Sequence, residues 1–104
     1  MDVFLVMRRG KRFFGGIVDI TFMKRSDKNL SEAKVVVSQK VAKKAVDRHK
    51  IQRRLREIMR HILKENSPLS RGYDFVVVAK PSASHASFGD LKTSVKSTLN
   101  VDWG

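Results

Sequence analysis

The residues from Lys40 to Lys64, K-V-A-K-K-A-V-D-R-H-K-I-Q-R-R-L-R-E-I-M-R-H-I-L-K, hold the densest chemistry in this chain. Ten are Lys or Arg and two, Asp47 and Glu57, are acidic, which gives this stretch a net eight of the chain's twelve positive charges. Ammonium and guanidinium groups at this density bind anions, and a polymer of phosphates is the anion that fits them. Ile51, Leu55, Ile58, Met59 and Ile62 recur at helical spacing, so this is a helix with one face committed to a core, not a disordered basic tail. At 100° per residue, His49, Arg53, Arg56 and Arg60 fall within about 60° of one another, away from that face. The spacing predicts a cationic ridge about 16 Å long. Phosphates about 6 to 7 Å apart along a strand match it.

Lys40, Lys43, Lys44 and Arg48 cluster at the predicted helix start, about Lys43, where the macrodipole is positive and each cation costs a few tenths of a kcal/mol. A bound phosphate reverses that sign, because amides, dipole and side chains then all face an anion. A merely solvated face needs mixed charge, not this excess of one sign. A polyanion partner, RNA, DNA or least of all an anionic membrane surface, is therefore expected at Lys40, Lys43, Lys44, Arg48, His49, Lys50, Arg53, Arg54, Arg56 and Arg60. A second cluster sets Phe13 and Phe14 beside Lys11 and Arg12, a pairing of rings and cations suited to unpaired bases. Neighbouring strand residues face opposite ways, so one of the two rings is expected in the core. Phe22, Phe75 and Phe88 are assigned to the core.

No catalytic constellation is evident. His49 and His61 lie twelve residues apart and His85 lies elsewhere; nothing in that spacing makes two imidazoles converge as acid and base. The ten carboxylates are scattered singly, unlike the cluster a metal-dependent nuclease needs; Asp19 in a strand and Asp74 at a strand start are read as turn or edge residues, not ligands. No residue is assigned as catalytic or as a metal ligand, and no small-molecule substrate is expected.

Around these residues the chain reads as one domain, residues 1–104, with 41% hydrophobic residues and a modest core. It has no cysteine, which suits a reducing cytosol, and no apolar run of the ~18 residues that span a bilayer. Met1 to Met7 lacks the features of a signal peptide, so a cytoplasmic protein with no membrane partner is the expectation. Asp2–Arg9 is predicted helical, stopped by Gly10; Lys11–Gly16 is a turn or short strand; Ile17–Lys24 is a strand. Arg25–Glu32 is polar and turn-like. Ala33–Ser38, with three consecutive valines, reads as a largely buried strand. The basic helix runs to Glu65, and Asn66–Gly72 is a loop broken by Pro68 and Gly72. Tyr73–Lys80 is a central strand that Pro81 ends. Ser87-x-x-Asp90 is a capping box for a last helix whose apolar face is Phe88, Leu91, Val95 and Leu99. The order helix, strands, helix, strand, helix predicts an α+β fold with helices packed on a single sheet.

These residues resemble the protein subunit of bacterial ribonuclease P. Ala45–Arg56, A-V-D-R-H-K-I-Q-R-R-L-R, is similar to that family's A-V-x-R-N-R-I-K-R-L-x-R at the start of a basic helix. Tyr73–Pro81 resembles its D-[FY]-[VI]-[VI]-[VI]-A-[RK] strand, and Asp2–Gly10 its D-F-x-x-V-F-x-x-G helix. The resemblance implies an RNA-binding subunit of a ribozyme that uses Mg²⁺, held mainly by RNA, to cut the 5′ leader from precursor tRNA. Its implied partners are the ribonuclease P RNA and precursor tRNA, and the protein is a non-catalytic subunit of the endoribonuclease. It also implies a left-handed strand–helix–strand crossover, the rare hand, and a leader cleft between sheet and helix, for which Arg12, Phe13 and Phe14 are the candidates. The family's R-N-R triplet falls on Arg48, His49 and Lys50; its middle Asn is replaced, and Lys50 keeps charge without a bidentate fork. Val3 and Met7 stand where cleft aromatics are expected. The competing expectations are a structural ribosomal protein, a stand-alone nuclease, and a helix-turn-helix DNA binder, the last disfavoured by the flanking strands.

Overall fold

The computed structural model describes residues 1–65 and 69–99. Of the predicted loop, Asn66, Ser67 and Pro68 lie outside these residues. The elements are α1 (Val3–Arg9), β1 (Lys11–Phe14), β2 (Val18–Lys24), β3 (Glu32–Val36), α2 (Ala45–Glu65), β4 (Tyr73–Ala79), a 3-10 helix (Pro81–His85) and α3 (Phe88–Leu99). The strands form one sheet in the order β1-β2-β4-β3, antiparallel except for the β3–β4 pair. β3 and β4 are thus parallel neighbours joined through α2, the strand–helix–strand crossover. The fold is α+β, as expected.

Strand alternation assigns the two faces. Val18, Ile20, Phe75, Val77, Ala79 and Val35 point into the main core, where they meet Ile51, Leu55, Ile58, Met59 and Ile62 of α2 and Leu91, Val95 and Leu99 of α3. The in-between residues Thr21 and Val76 are also buried, but with Val6 of α1 on the opposite face. The helices therefore cover both faces of the sheet, not one. Gly10 allows α1 to sit this close: a Cβ there would lie 2.4 Å from the Val6 carbonyl oxygen and 2.6 Å from that of Phe22. Gly72, with φ of 83°, is the one described residue in the left-handed region, and its N–H donates to Asn29 at 2.9 Å as the chain enters β4.

Local chemistry explains the helix ends. Asp2 caps α1 by accepting from the Leu5 N–H at 3.2 Å. The predicted capping box is present: Ser87 N–H donates to Asp90 at 3.3 Å and Asp90 N–H to the Ser87 hydroxyl at 3.1 Å. The basic helix starts at Ala45, two residues later than expected, with the Lys44 carbonyl accepting the first helical bonds from Asp47 and Arg48.

Three sequence expectations need correction. β3 is an edge strand in which only Val35 is buried, while Val36 is 39% exposed. Three consecutive valines mark β-propensity, and an edge strand can carry that without burial. Phe88 is 41% exposed, because it opens the first turn of α3 beyond the reach of the core. Asp19 lies in a strand and Asp74 at a strand start, as expected, but both strands are interior to the sheet and Asp74 is buried, so neither is a turn or edge residue. Pro81 follows the end of β4 as expected, and it also opens a 3-10 helix, as a residue with a fixed φ and no N–H can.

Candidate nucleic-acid interface

Six buried side chains of α2 fix its rotation: Ile51, Leu55, Ile58, Met59, Ile62 and Leu63. The opposite side then faces solvent, and His49, Arg53, Arg56 and Arg60 are all exposed along it. The predicted ridge is therefore geometrically real. Gln52, on the flank nearest the sheet, ties the helix to β3 by donating to the Val35 carbonyl at 3.2 Å.

The remaining predicted contacts divide. Lys40, Lys43 and Lys44 are exposed in the segment leading to α2, which Val41 pins by burying its side chain. Lys50 is exposed and Arg54 half-buried on the flank facing the 3-10 helix. Arg48 differs from the others: its Nη1 donates to the carbonyls of Ala42 at 3.1 Å and Lys43 at 2.7 Å. That guanidinium braces the loop that presents the lysines, whatever else it touches.

Charge pairing separates two populations of cations. Arg25 is surrounded by Asp27 at 3.2 Å, Asp74 at 3.5 Å and Glu32 at 3.9 Å, and also donates to the Leu30 carbonyl. Lys80 pairs with Asp19 at 3.3 Å and donates to the Gly15 carbonyl at 2.6 Å. Asp2 and Asp90 serve as caps. Six of the nine described carboxylates are thus engaged away from α2, and among the described residues no α2 side chain makes an ion pair. The cations of the ridge keep their charge available to an external anion.

The leader-cleft candidates also divide. Phe13 faces the core side and stacks on Phe22 with centroids 5.4 Å apart, but it is only half-buried, at the margin of the core where one of the two rings was expected. Phe14 faces the other side and is 73% exposed, with the Arg12 guanidinium 5.9 Å from its ring centre. Register places Phe14, Asp19, Val78 and Val36 in one row across that face, beside the row Arg12, Thr21, Val76 and Lys34 that α1 covers at its centre. An aromatic and two valines, flanked by cations, suit an unpaired strand. Sequence reasoning missed Phe4, which is 85% exposed on α1. The signal was present: Phe4 lies about 100° from the stripe of Val3, Val6 and Met7.

Among the described residues no three His, Asp or Glu side chains are grouped to hold a metal ion, and no helix is long and apolar enough to cross a membrane.

The chain is 32% identical over 98 residues to the ribonuclease P protein component of a Pseudanabaena species, covering 94% of this chain and 82% of that one. It is also 32% identical over 94 residues to that of Clostridioides difficile, covering 90% and 79%. The RNase P protein from Thermotoga maritima superposes with a TM-score of 0.78 at 25% identity, over 94% of this chain and 88% of that one. The family model described as Ribonuclease P matches residues 4–101, and the chain belongs to the ribonuclease P protein family.

Proposed function

We propose that this protein is the RNA-binding subunit of a ribonuclease P ribozyme in the cytoplasm, assisting Mg²⁺-dependent removal of the 5′ leader from precursor tRNA. The observation that carries this is the α2 ridge, whose cations have no acidic partner among the described residues. A polycation seated against a folded RNA lowers repulsion between its phosphates and those of a substrate, so less Mg²⁺ is needed for both to approach. In this reading the metal belongs to the RNA, and the chain supplies no reacting group. The exposed face bearing Phe14 receives the unpaired leader, with base stacking on the ring and Arg12 near the backbone.

The test is reconstitution. Purified protein alone leaves precursor tRNA intact; added to a bacterial ribonuclease P RNA, it restores single-site cleavage at the mature 5′ end at Mg²⁺ levels where the RNA alone is nearly inactive. Cleavage by RNA-free protein, lost on His49→Ala, would instead establish a nuclease. Failure to stimulate any bacterial RNA subunit, with co-purification on ribosomes, would establish a ribosomal role.

A further inference from the structure

The valley between α2 and the elements that follow β4 contains two pockets, one with an excess of positive charge and one balanced. The first, about 420 Å³, lies between the N-terminal half of α2 and the 3-10 helix. Lys50 and Arg54 form one wall and His85 the other, with Asp47 as its single carboxylate. Its floor is Ile51, Ala83 and neighbouring small apolar residues, so nothing bulky fills it. The second pocket, about 230 Å³, lies further along the same flank against α3. There Glu57 and Glu65 offset Lys92 and Lys96, leaving no charge excess around His61.

We propose that the first pocket is a phosphate subsite for the RNA partner, with His85 as a donor that reaches the RNA from outside the basic helix. The inference rests on the RNA-binding reading above and extends it. The chemistry is specific: a guanidinium fork, an ammonium and an imidazole N–H converge from two elements on one cavity. Among the described residues none of these three side chains makes a hydrogen bond or ion pair, so none is committed to holding the fold. The 3-10 helix that carries His85 is itself braced, with Ser84 Oγ donating to the Pro81 carbonyl at 2.9 Å and Ala83 N–H to the Lys80 carbonyl at 2.8 Å. The apolar floor lowers the local dielectric and strengthens each contact with an anion. An RNA backbone crossing the ridge therefore dips into the valley at Lys50 and Arg54. It leaves before Glu57, where carboxylates begin to repel phosphate.

The experiment measures affinity for a bacterial ribonuclease P RNA across a salt series, using full-length protein. Arg54→Ala is expected to weaken binding about tenfold and to flatten the log–log salt slope by about one. His85→Ala is expected to weaken it about fivefold, and His85→Arg to tighten it and steepen the slope by about one. The double variant Arg54→Ala/His85→Ala loses less than the product of the single losses, because both groups serve one phosphate. His61→Ala, in the second pocket, leaves affinity unchanged. Unaltered affinity and slope in His85→Ala and His85→Arg, with wild-type binding intact, would overturn the subsite, as would an equal loss in His61→Ala. Stabilisation by inorganic phosphate that disappears in His85→Ala, with RNA affinity equal in both proteins, would assign the pocket to a free anion and also overturn it. No RNA binding by the wild-type protein would instead refute the functional reading itself.

Discussion

Arg25 and Arg53 contribute equally to a net charge of +12, yet the molecule uses them in opposite ways. Arg25, with 19% of its side chain exposed, gathers carboxylates from Asp27, Glu32 and Asp74, three separate segments of the chain. Arg53 stands on the outward face of α2 and makes no ion pair. The first neutralises charge inside the structure and so holds the turn after β2 against the start of β4. The second leaves charge unneutralised, which has no stabilising use within the chain and is useful only toward a polyanion. A count of basic residues cannot tell these apart; the positions of the acids can.

The comparison can be broken from the buried side first. Leu55 is fully buried, across α2 from the ridge, and Leu55→Ala is expected to cost about 2 to 5 kcal/mol in urea or thermal unfolding. If Arg56→Ala destabilised equally, the outward face of α2 would not be free of structural duty. Arg25→Ala is expected next, at about 2 kcal/mol. It strands Asp74, whose Oδ1 is buried with no hydrogen bond and has Arg25 as its nearest cation. RNA affinity of that variant, measured below its unfolding transition, is expected to stay within twofold of wild type. Arg48→Ala is the intermediate case. Losing two hydrogen bonds to loop carbonyls costs about 1 to 2 kcal/mol, and RNA affinity falls with it as the loop bearing Lys43 and Lys44 loosens. Arg53→Ala is the smallest in stability, within about 0.5 kcal/mol, while flattening the RNA salt slope by about one. An unchanged slope would remove Arg53 from the interface and collapse the distinction.

How far this was legible in sequence follows from where each signal resides. The register of α2 was readable to within two residues, because Ile51, Leu55, Ile58 and Ile62 face one way and the arginines the other within a single continuous segment. The box at Ser87 and Asp90 was readable for the same reason, being a matter of four adjacent residues. Arg25 was not, because its partners lie 2, 7 and 49 positions away and meet only when β3 and β4 pair. The edge position of β3 was hidden likewise, since Val35, Val36 and Val37 look alike whether or not another strand lies beyond them. His85 lies outside the basic segment in sequence, and only the 3-10 helix after Pro81 brings it opposite Lys50 and Arg54.

The sheet order has a temporal consequence. β4 lies between β2 and β3 but is the last strand synthesised. As the chain leaves the ribosome, β1 and β2 can close a hairpin, but β3 has no neighbour and the valines of the main core have no centre until Tyr73–Ala79 emerges. Until then the strongly basic segment from Ala45 to Glu65 has no completed surface to rest on, and it is extruded beside ribosomal RNA, itself a polymer of phosphates. Arrival of a seven-residue strand thus gives both sides of the sheet their centre, and α3, which follows it, completes the side shared with α2. It also commits the apolar side of α2 to the core, leaving the nascent protein only its cationic side to offer to RNA.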